Sequence, residues 1–333
     1  MPASFDLPRE LEAHIPPEAR GIARDEVGLL VSDRERGTHR VTSFRDFAAA
    51  LHPNDLLVVN NSKTLAASVD AAFGGDVFPL HFSTNIADEL WTVEPRTTAQ
   101  YSGGEQLRLP GSALATLFTP VDRGHARLWY AKIETGSDVR SYLDRYGRPI
   151  SYSYLHGSWP LEFYQTIFAR KPGSVEMPSA ARPFTLRTLT ELHARGVQIA
   201  TVTLHCGVAS PERHERPVSE WMEIDALTAQ SINDARAAGR RVVAVGTTVV
   251  RALESAASNG KVSAFSGWTD HLVTAQSPPQ VTGALLTGLH EPRASHLDLL
   301  EGFIRPGLLG RSYEVAVEHG LLWHEFGDVH LVI

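Results

Sequence analysis

Apolar and polar positions along this chain fall into three textures, and each texture predicts a different kind of element. The first holds the apolar run Val27-Gly28-Leu29-Leu30-Val31, a helix-like stretch from Arg45 to Leu51, and a second run, Asp55-Leu56-Leu57-Val58-Val59. Unbroken apolar runs of this length predict strands buried on both faces. The second run ends in Asn60-Asn61-Ser62-Lys63, and a polar cluster at the end of a buried strand commonly faces a crevice in an α/β protein.

From about Ala66 to Ile150 the apolar stretches shorten. Val77 to Phe82, Leu90 to Val93, Gln106 to Leu109 and Ala126 to Ile133 are separated by glycine, proline and asparagine, the spacing of a small β unit. Past Ser153 the longer period returns. A helix is predicted over Arg187 to Arg195, a strand over Val197 to Leu204, and a helix over Asp225 to Ala238. A strand follows over Arg241 to Val245, then a helix over Thr247 to Ser258 stopped near Gly260. This order predicts an α/β fold: a parallel-rich sheet with covering helices, interrupted by an inserted small β-barrel-like domain. The expected division is a discontinuous α/β domain, 1–65 and 152–333, around an insertion, 66–151.

Composition narrows the function classes. With 333 residues, 43% hydrophobic and 21% charged, the chain is an ordinary globular one. Its net charge of −7 argues against holding nucleic acid by overall attraction, although a local basic groove is still allowed. The single cysteine, Cys206, rules out an internal disulfide and a cysteine-based zinc site. No window approaches the roughly 18 apolar residues of a membrane span, and no secretory pattern opens the chain, so no membrane partner and a cytoplasmic location are expected. Among the 15 histidines, neither His290 with His296 nor His319 with His324 has ligand spacing, and no metal is expected.

Candidate chemistry concentrates in a few segments. In Val242-Val243-Ala244-Val245-Gly246-Thr247-Thr248-Val249-Val250-Arg251 a buried strand passes through glycine and two hydroxyl residues into a helix. Unpaired amides and the positive dipole at such a start favour an anion, with Arg251 one turn further on; a plain glycine turn with a threonine cap has the same pattern. Ser219-Glu220-Trp221 sets a carboxylate beside an indole, a pair suited to a cation, or simply a core tryptophan beside a solvated glutamate. Tyr164-Gln165-Thr166 and Ala169-Arg170-Lys171-Pro172-Gly173-Ser174-Val175 lead irregularly into Met177-Pro178-Ser179-Ala180-Ala181, backbone free to meet a ligand or merely a solvated loop. Asp270, in Gly267-Trp268-Thr269-Asp270, suits a ribose hydroxyl or a turn.

Taken in order, these segments resemble a known family. Phe5-Asp6-Leu7-Pro8, Asp55 to Asn60, Tyr164-Gln165-Thr166, Ala169 to Val175, Val202-Thr203-Leu204-His205, Ser219-Glu220-Trp221, Ala244 to Glu254, Gly267 to Asp270 and Ala284-Leu285-Leu286-Thr287 match the QueA family, the S-adenosylmethionine:tRNA ribosyltransferase-isomerases. The Gly-Thr-Thr-x-x-Arg helix combined with Ser-Glu-Trp is the specific part. The resemblance implies an α/β domain carrying a barrel-like insertion, S-adenosylmethionine as co-substrate, and transfer of its rearranged ribosyl part to an aminomethyl-deazaguanine in tRNA, with release of adenine and methionine. It also sharpens the site. Thr247, Thr248 and Arg251 would hold an anionic part; Glu220 and Trp221 would engage a cationic or nucleoside part, with Gly246, Ser219 and Ser179 beside the co-substrate. Asp270 would meet ribose, and Asn60, Lys63, Tyr164, Gln165, Arg170, Lys171 and Arg182 would meet the acceptor, Lys63, Arg170, Lys171 and Arg182 forming a basic groove for RNA.

The chain departs from the family pattern in places. Pro178-Ser179-Ala180-Ala181-Arg182-Pro183-Phe184 stands for Pro-Thr-Ala-Gly-Leu-His-Phe, and Asn60-Asn61-Ser62-Lys63 for Asn-Asp-Thr-Arg. Gly207-Val208-Ala209-Ser210-Pro211 stands for Gly-Leu-Gly-Thr-Phe, Val218 for a histidine and Gly288 for an asparagine. These changes are expected to line the crevice. Two alternatives accompany the main reading: a paralogue of the family that uses the same co-substrate on a small-molecule acceptor or performs only part of the reaction, and a non-catalytic nucleotide-binding protein.

Overall fold

The computed structural model describes residues 5–122, 125–208, 218–292 and 294–333. The Ala209-Ser210-Pro211 departure lies outside the described residues. The long apolar runs become strands of one nine-stranded sheet. In chain order these are β1 (Gly28–Asp33), β2 (Thr38–Ser43), β3 (Leu56–Asn60), β4 (Gln198–Leu204) and β5 (Glu220–Ile224). They continue with β6 (Val242–Val245), β7 (Phe265–Thr269), β8 (Ala284–Gly288) and β9 (Val329–Val332). The spatial order is β7-β5-β4-β3-β6-β8-β9-β1-β2. At the centre β4, β3, β6 and β8 run parallel, as the strand–helix alternation predicts. Antiparallel pairs flank them: β5 against β4, β7 against β5, β9 against β8 and β2 against β1.

Because successive side chains on a strand point to opposite faces, each central strand feeds two cores. Leu57, Val59, Val243 and Val245 pack with Phe44, Phe47, Phe184 and Leu192, the last on helix α1 (Leu186–Ala194). Leu56, Val58, Val242 and Ala244 face the other way, onto α2 (Ala226–Ala237), α3 (Thr247–Ser255), α4 (His296–Leu300) and α5 (Pro306–Glu318). Each such valine or leucine contributes about 1.5–3 kcal/mol by leaving water, so a sheet covered on both faces is a stiff platform for loops at the strand ends. Helix α3 stops at Ser255, three residues before the predicted end. Asn259 and Gly260, both at positive φ, make the two-residue turn of a small hairpin, Ala257–Ser258 against Lys261–Val262. That dipeptide is the preferred one for such a turn.

The shorter strands between Ser68 and Glu134 close into a six-stranded barrel around Phe82, Trp91 and Trp129. Ile150, Val175 and Val208, from segments near the strand ends of the main sheet, join the barrel's core. The barrel is thereby seated beside the place where the central strands finish.

Candidate active site

A cavity of about 500 Å³ opens beyond the carboxyl ends of the central strands. Thr64 follows β3, Cys206 and Gly207 follow β4, Thr247 and Thr248 follow β6, and Thr287 and Gly288 close β8; all line it. This is the place where ligands bind in open α/β sheets.

At the end of β6 the backbone must turn sharply into α3. Gly246 makes that turn at φ 96° and ψ 149°, a conformation that side-chain-bearing residues rarely adopt. Its N–H donates to Leu286 O at 2.7 Å, which fixes the turn to the neighbouring strand. Thr247 and Thr248 then open the helix at the cavity wall, so first-turn amides and the positive dipole end are placed there. Asn60 Nδ2 reaches Thr248 Oγ1 at 3.5 Å.

Glu220 and Arg251 are partners of each other. Arg251 Nη1 donates to Glu220 Oε2, while its Nε and Nη2 donate to His271 O at 3.3 Å and Thr269 O at 3.4 Å. The other Glu220 oxygen accepts from Gly207 N at 3.0 Å. Burial pushes the Glu220 carboxyl up, and Arg251 and the Gly207 amide work against that. In place of the separate anionic and cationic ligands expected from the sequence, the two side chains neutralise each other. Their shared burial explains the difference, since either charge alone would be left uncompensated in a poorly solvated wall.

The remaining sequence candidates divide. Ser179 and Tyr164 line the cavity with Gly246, Thr247 and Thr248. Trp221 does not: it alternates with Glu220 along β5, so its ring lies on the opposite face, stacked 5.2 Å from His205. Ser219 and Asp270 are exposed and outside the cavity, so the ribose contact expected of Asp270 has no footing there. Asn60 is fully buried, and its side chain is taken up by Ser62 N, Leu204 N and Leu204 O; it braces strand ends. Gln165 clasps the backbone of Thr64, donating to its O at 2.8 Å and accepting from its N at 3.1 Å. Lys63, Arg170 and Lys171 are exposed on or beside a short parallel ribbon, Ser62–Thr64 with Lys171–Ser174, where Lys171 pairs with Glu223. Arg182 is not part of that basic surface. It is 3% exposed, ion-paired with Glu18 and stacked over Phe326.

The departures separate in the same way. Pro178, Ser179, Ala180, Val218 and Gly288 line the cavity; Ala181, Arg182 and Pro183 do not. Cys206 lines it, but burial pushes its thiol far up, which removes the thiolate a nucleophile needs. His205 is held by Ser62 Oγ at 2.7 Å and lies outside the cavity.

Sequence reasoning missed two groups. His290 and His296 stack at 4.6 Å in the cavity, and His290 Nε2 meets Thr287 Oγ1 at 2.8 Å. Burial, with Arg251 adding to it, lowers His296 to about 4, and burial with the neighbouring imidazoles lowers His290, so both rings are neutral at pH 7. Their six-residue separation, which is not metal-ligand spacing, is the one mark the pair leaves in the sequence. The second group is Tyr152, Tyr154, Glu176, His324 and Glu325; of these only Glu176 adjoins a motif, directly after Ala169 to Val175. Among the described residues no three His, Cys, Asp or Glu side chains are gathered to hold a metal ion, and no helix is long and apolar enough to cross a membrane.

Comparison with known proteins supplies the relationship. The model of a family described as queuosine biosynthesis protein matches residues 3–332. A protein of Heliobacterium modesticaldum named S-adenosylmethionine:tRNA ribosyltransferase-isomerase is 33% identical, over 99% of this chain and 98% of its own. One of the same name from Gloeobacter violaceus is 35% identical, over 99% of this chain and 94% of its own. The crystal structure of a Thermotoga maritima S-adenosylmethionine tRNA ribosyltransferase superposes with a TM-score of 0.57 at 26% identity, over 99% of both chains. The main sheet, the barrel and the order of the motifs thus have one explanation: the chain belongs to the queuosine biosynthesis protein family.

Proposed function

We propose that the chain is an S-adenosylmethionine:tRNA ribosyltransferase-isomerase. It transfers the ribosyl part of S-adenosylmethionine, rearranged to an epoxycyclopentanediol, onto the aminomethyl group of a 7-deazaguanine in tRNA, releasing adenine and methionine. The observation that carries this reading is the full-length family match joined to a cavity at the carboxyl ends of the parallel strands, walled by the opening of α3. The relatives' names support tRNA as partner.

Each wall has a task in the chemistry. The amides and hydroxyls of Thr247 and Thr248 receive the carboxylate of the methionine part. Glu220, held in place by Arg251, faces the positive sulfonium. A sulfonium acidifies the neighbouring ribose carbon and makes methionine a good leaving group, so a nearby unprotonated base starts the rearrangement. The His290 and His296 imidazoles, kept neutral by burial, are the groups we assign to proton acceptance. The exposed Lys63, Arg170 and Lys171 beside the β3 end offer the phosphate contacts.

The test follows adenine and methionine release from S-adenosylmethionine with deazaguanine-bearing tRNA, bare tRNA, the free aminomethyl-deazaguanine base, and no acceptor. Release that requires the modified tRNA supports the reading. Release with the free base but not with the tRNA moves the acceptor to a small molecule, and tight co-substrate binding without release removes catalysis.

A further inference from the structure

Trp221 and Trp268 have no part in the cavity, yet the sheet sets them side by side. They are register partners in the antiparallel pair of β5 and β7, and directly paired residues project to the same face. His205 N donates to Trp221 O at 2.9 Å and the two rings stack at 5.2 Å. His205, Trp221 and Trp268 therefore form one row across β4, β5 and the edge strand β7. The opposite face of these strands is closed, since Leu204, Met222 and Ile224 belong to the core beneath α2 and α3. The face carrying the row is open: Trp268 is 42% exposed, and Trp221 and His205 are half-buried. An indole exposed to that extent forgoes much of the stabilisation that burial would give it.

Cations border the row. Burial lowers the His205 imidazole to about 4, and Arg140, on the helix Val139–Tyr146, and Lys171 add to it, so the ring is neutral at pH 7 with positive charge beside it. Ser62 Oγ holds that ring at 2.7 Å and Gly173 lies hard against it, which fixes its plane. Lys63 and Arg170 are exposed on and beside the neighbouring ribbon and make no ion pair among the described residues. Glu223, two residues along from Trp221 and on the same face, is taken up by Lys171 Nζ at 2.7 Å.

Uncharged ring faces edged with cations match unpaired RNA, whose bases offer π faces and whose phosphates need positive charge; a duplex hides its base faces. A second copy of this chain, meeting the same face symmetrically, would set like cations against each other. The row also stands at the rim of the cavity. His205 directly precedes cavity-lining Cys206, Trp221 directly follows Glu220, and Lys63 directly precedes Thr64.

We infer that His205, Trp221 and Trp268 form a stacking platform for unpaired nucleotides flanking the base held in the cavity, with Lys63, Arg140 and Arg170 receiving their phosphates. The platform rests on the function proposed above for the identity of the RNA, and on its own side chains for the chemistry.

The experiment uses the full chain and the variants Trp268→Ala, Trp268→Phe and Trp221→Phe, with thermal melts and size-exclusion chromatography of each. Fluorescence anisotropy, without S-adenosylmethionine, compares an unmodified RNA hairpin bearing an unpaired loop with a blunt RNA duplex of equal phosphate count, across salt concentrations. Trp268→Ala should weaken the hairpin by about five- to hundredfold, leave the duplex within about twofold, and leave the slope of log affinity against log salt unchanged. Both phenylalanine variants, which keep a ring, should stay within about threefold of the parent on the hairpin. Hairpin affinity unchanged in Trp268→Ala overturns the platform. An equal loss for hairpin and duplex with a shallower salt slope also overturns it, reducing the face to a charge contact. A parent dimer that Trp268→Ala converts to monomer, with RNA affinity unmoved, overturns it in favour of a second copy. If adenine release fails on every acceptor while the hairpin still separates parent from Trp268→Ala, the function fails and the platform stands. If release requires the modified tRNA and Trp268→Ala binds the hairpin like the parent, the platform fails and the function stands.

Discussion

Replacing Arg251 with alanine leaves Glu220 in a wall where its own side chain is 13% exposed and the guanidinium had been 10% exposed. Of the partners that oppose burial of the carboxylate, the Gly207 amide alone is retained. Two carbonyls, His271 O and Thr269 O, also lose a donor. Removing one member of a buried pair costs about 3–5 kcal/mol, and residual exposure places this case near the lower end. The measurement is urea unfolding at pH 7 for the parent, Arg251→Ala, Glu220→Gln and the double variant, with thermal melts in parallel. Arg251→Ala should lose about 3 kcal/mol and at least about 5 °C in Tm. The pH dependence has a definite sign. Burial already holds the Glu220 carboxyl above the usual carboxylate range, and loss of Arg251 raises it further. A raised folded value means stability is fully present below the unfolded value and is lost as pH rises through the folded one. The deficit of Arg251→Ala against the parent therefore narrows toward pH 4.5, and the double variant recovers roughly 2 kcal/mol relative to the sum of the singles. Strict additivity, or a pH-independent deficit under about 1 kcal/mol, would refute the pairing argument.

Four other outcomes follow from the same structure. Gly173→Ala places a methyl 2.5 Å from the His205 ring, where backbone and imidazole are both held; about 1–3 kcal/mol of stability is lost, measured by urea midpoint. Cys206, buried and with its thiol pushed up, stays unlabelled by iodoacetamide at pH 8 in the folded protein, and Cys206→Ala keeps the turnover of the parent in the adenine-release assay. Inside the barrel, burial works to raise Glu94, but His81, Arg127 and Arg96 outweigh it and hold the carboxyl at about 2. That contribution, on the order of 3 kcal/mol, is present above the ordinary glutamate value and is lost as pH falls toward about 2; Glu94→Gln should flatten acid unfolding followed by tryptophan fluorescence. Reversing charge at Lys63 and Arg170 weakens tRNA binding and reduces the slope of log affinity against log salt by about one per contact removed, read by filter binding across salt concentrations.

Much of the frame was legible because burial on two faces leaves a plain mark. Leu56 to Val59 and Val242 to Val245 are unbroken apolar runs, and each splits between the two cores as an all-buried strand must. The barrel showed through its short, punctuated runs. At the site, Gly246, Thr247 and Thr248 were readable since a strand-to-helix turn has its own grammar of glycine and hydroxyl residues. The pairing of Glu220 with Arg251 was not, because a contact between positions 31 apart leaves no periodic trace. Trp221 was misplaced for want of a strand assignment at Glu220 to Ile224, which would have turned its ring away at once. The tyrosine–glutamate end was invisible for a similar reason: Tyr152 and Glu325 belong to irregular segments whose proximity is purely tertiary.

Leu29 lies opposite Val329, so the opening and closing strands of the sheet zip together across about 300 intervening positions. Within the sheet the β1–β2 hairpin pairs with the other strands through β9, and the loop carrying His324 and Glu325 to the cavity arrives with that strand. Bringing such remote partners together is entropically slow, and until it happens the early hairpin presents unsatisfied amides along its rim. The wall that His324 and Glu325 supply is therefore tied to closure of the sheet: a substitution that loosens β9 from β1 or β8 reaches the ligand pocket without touching it.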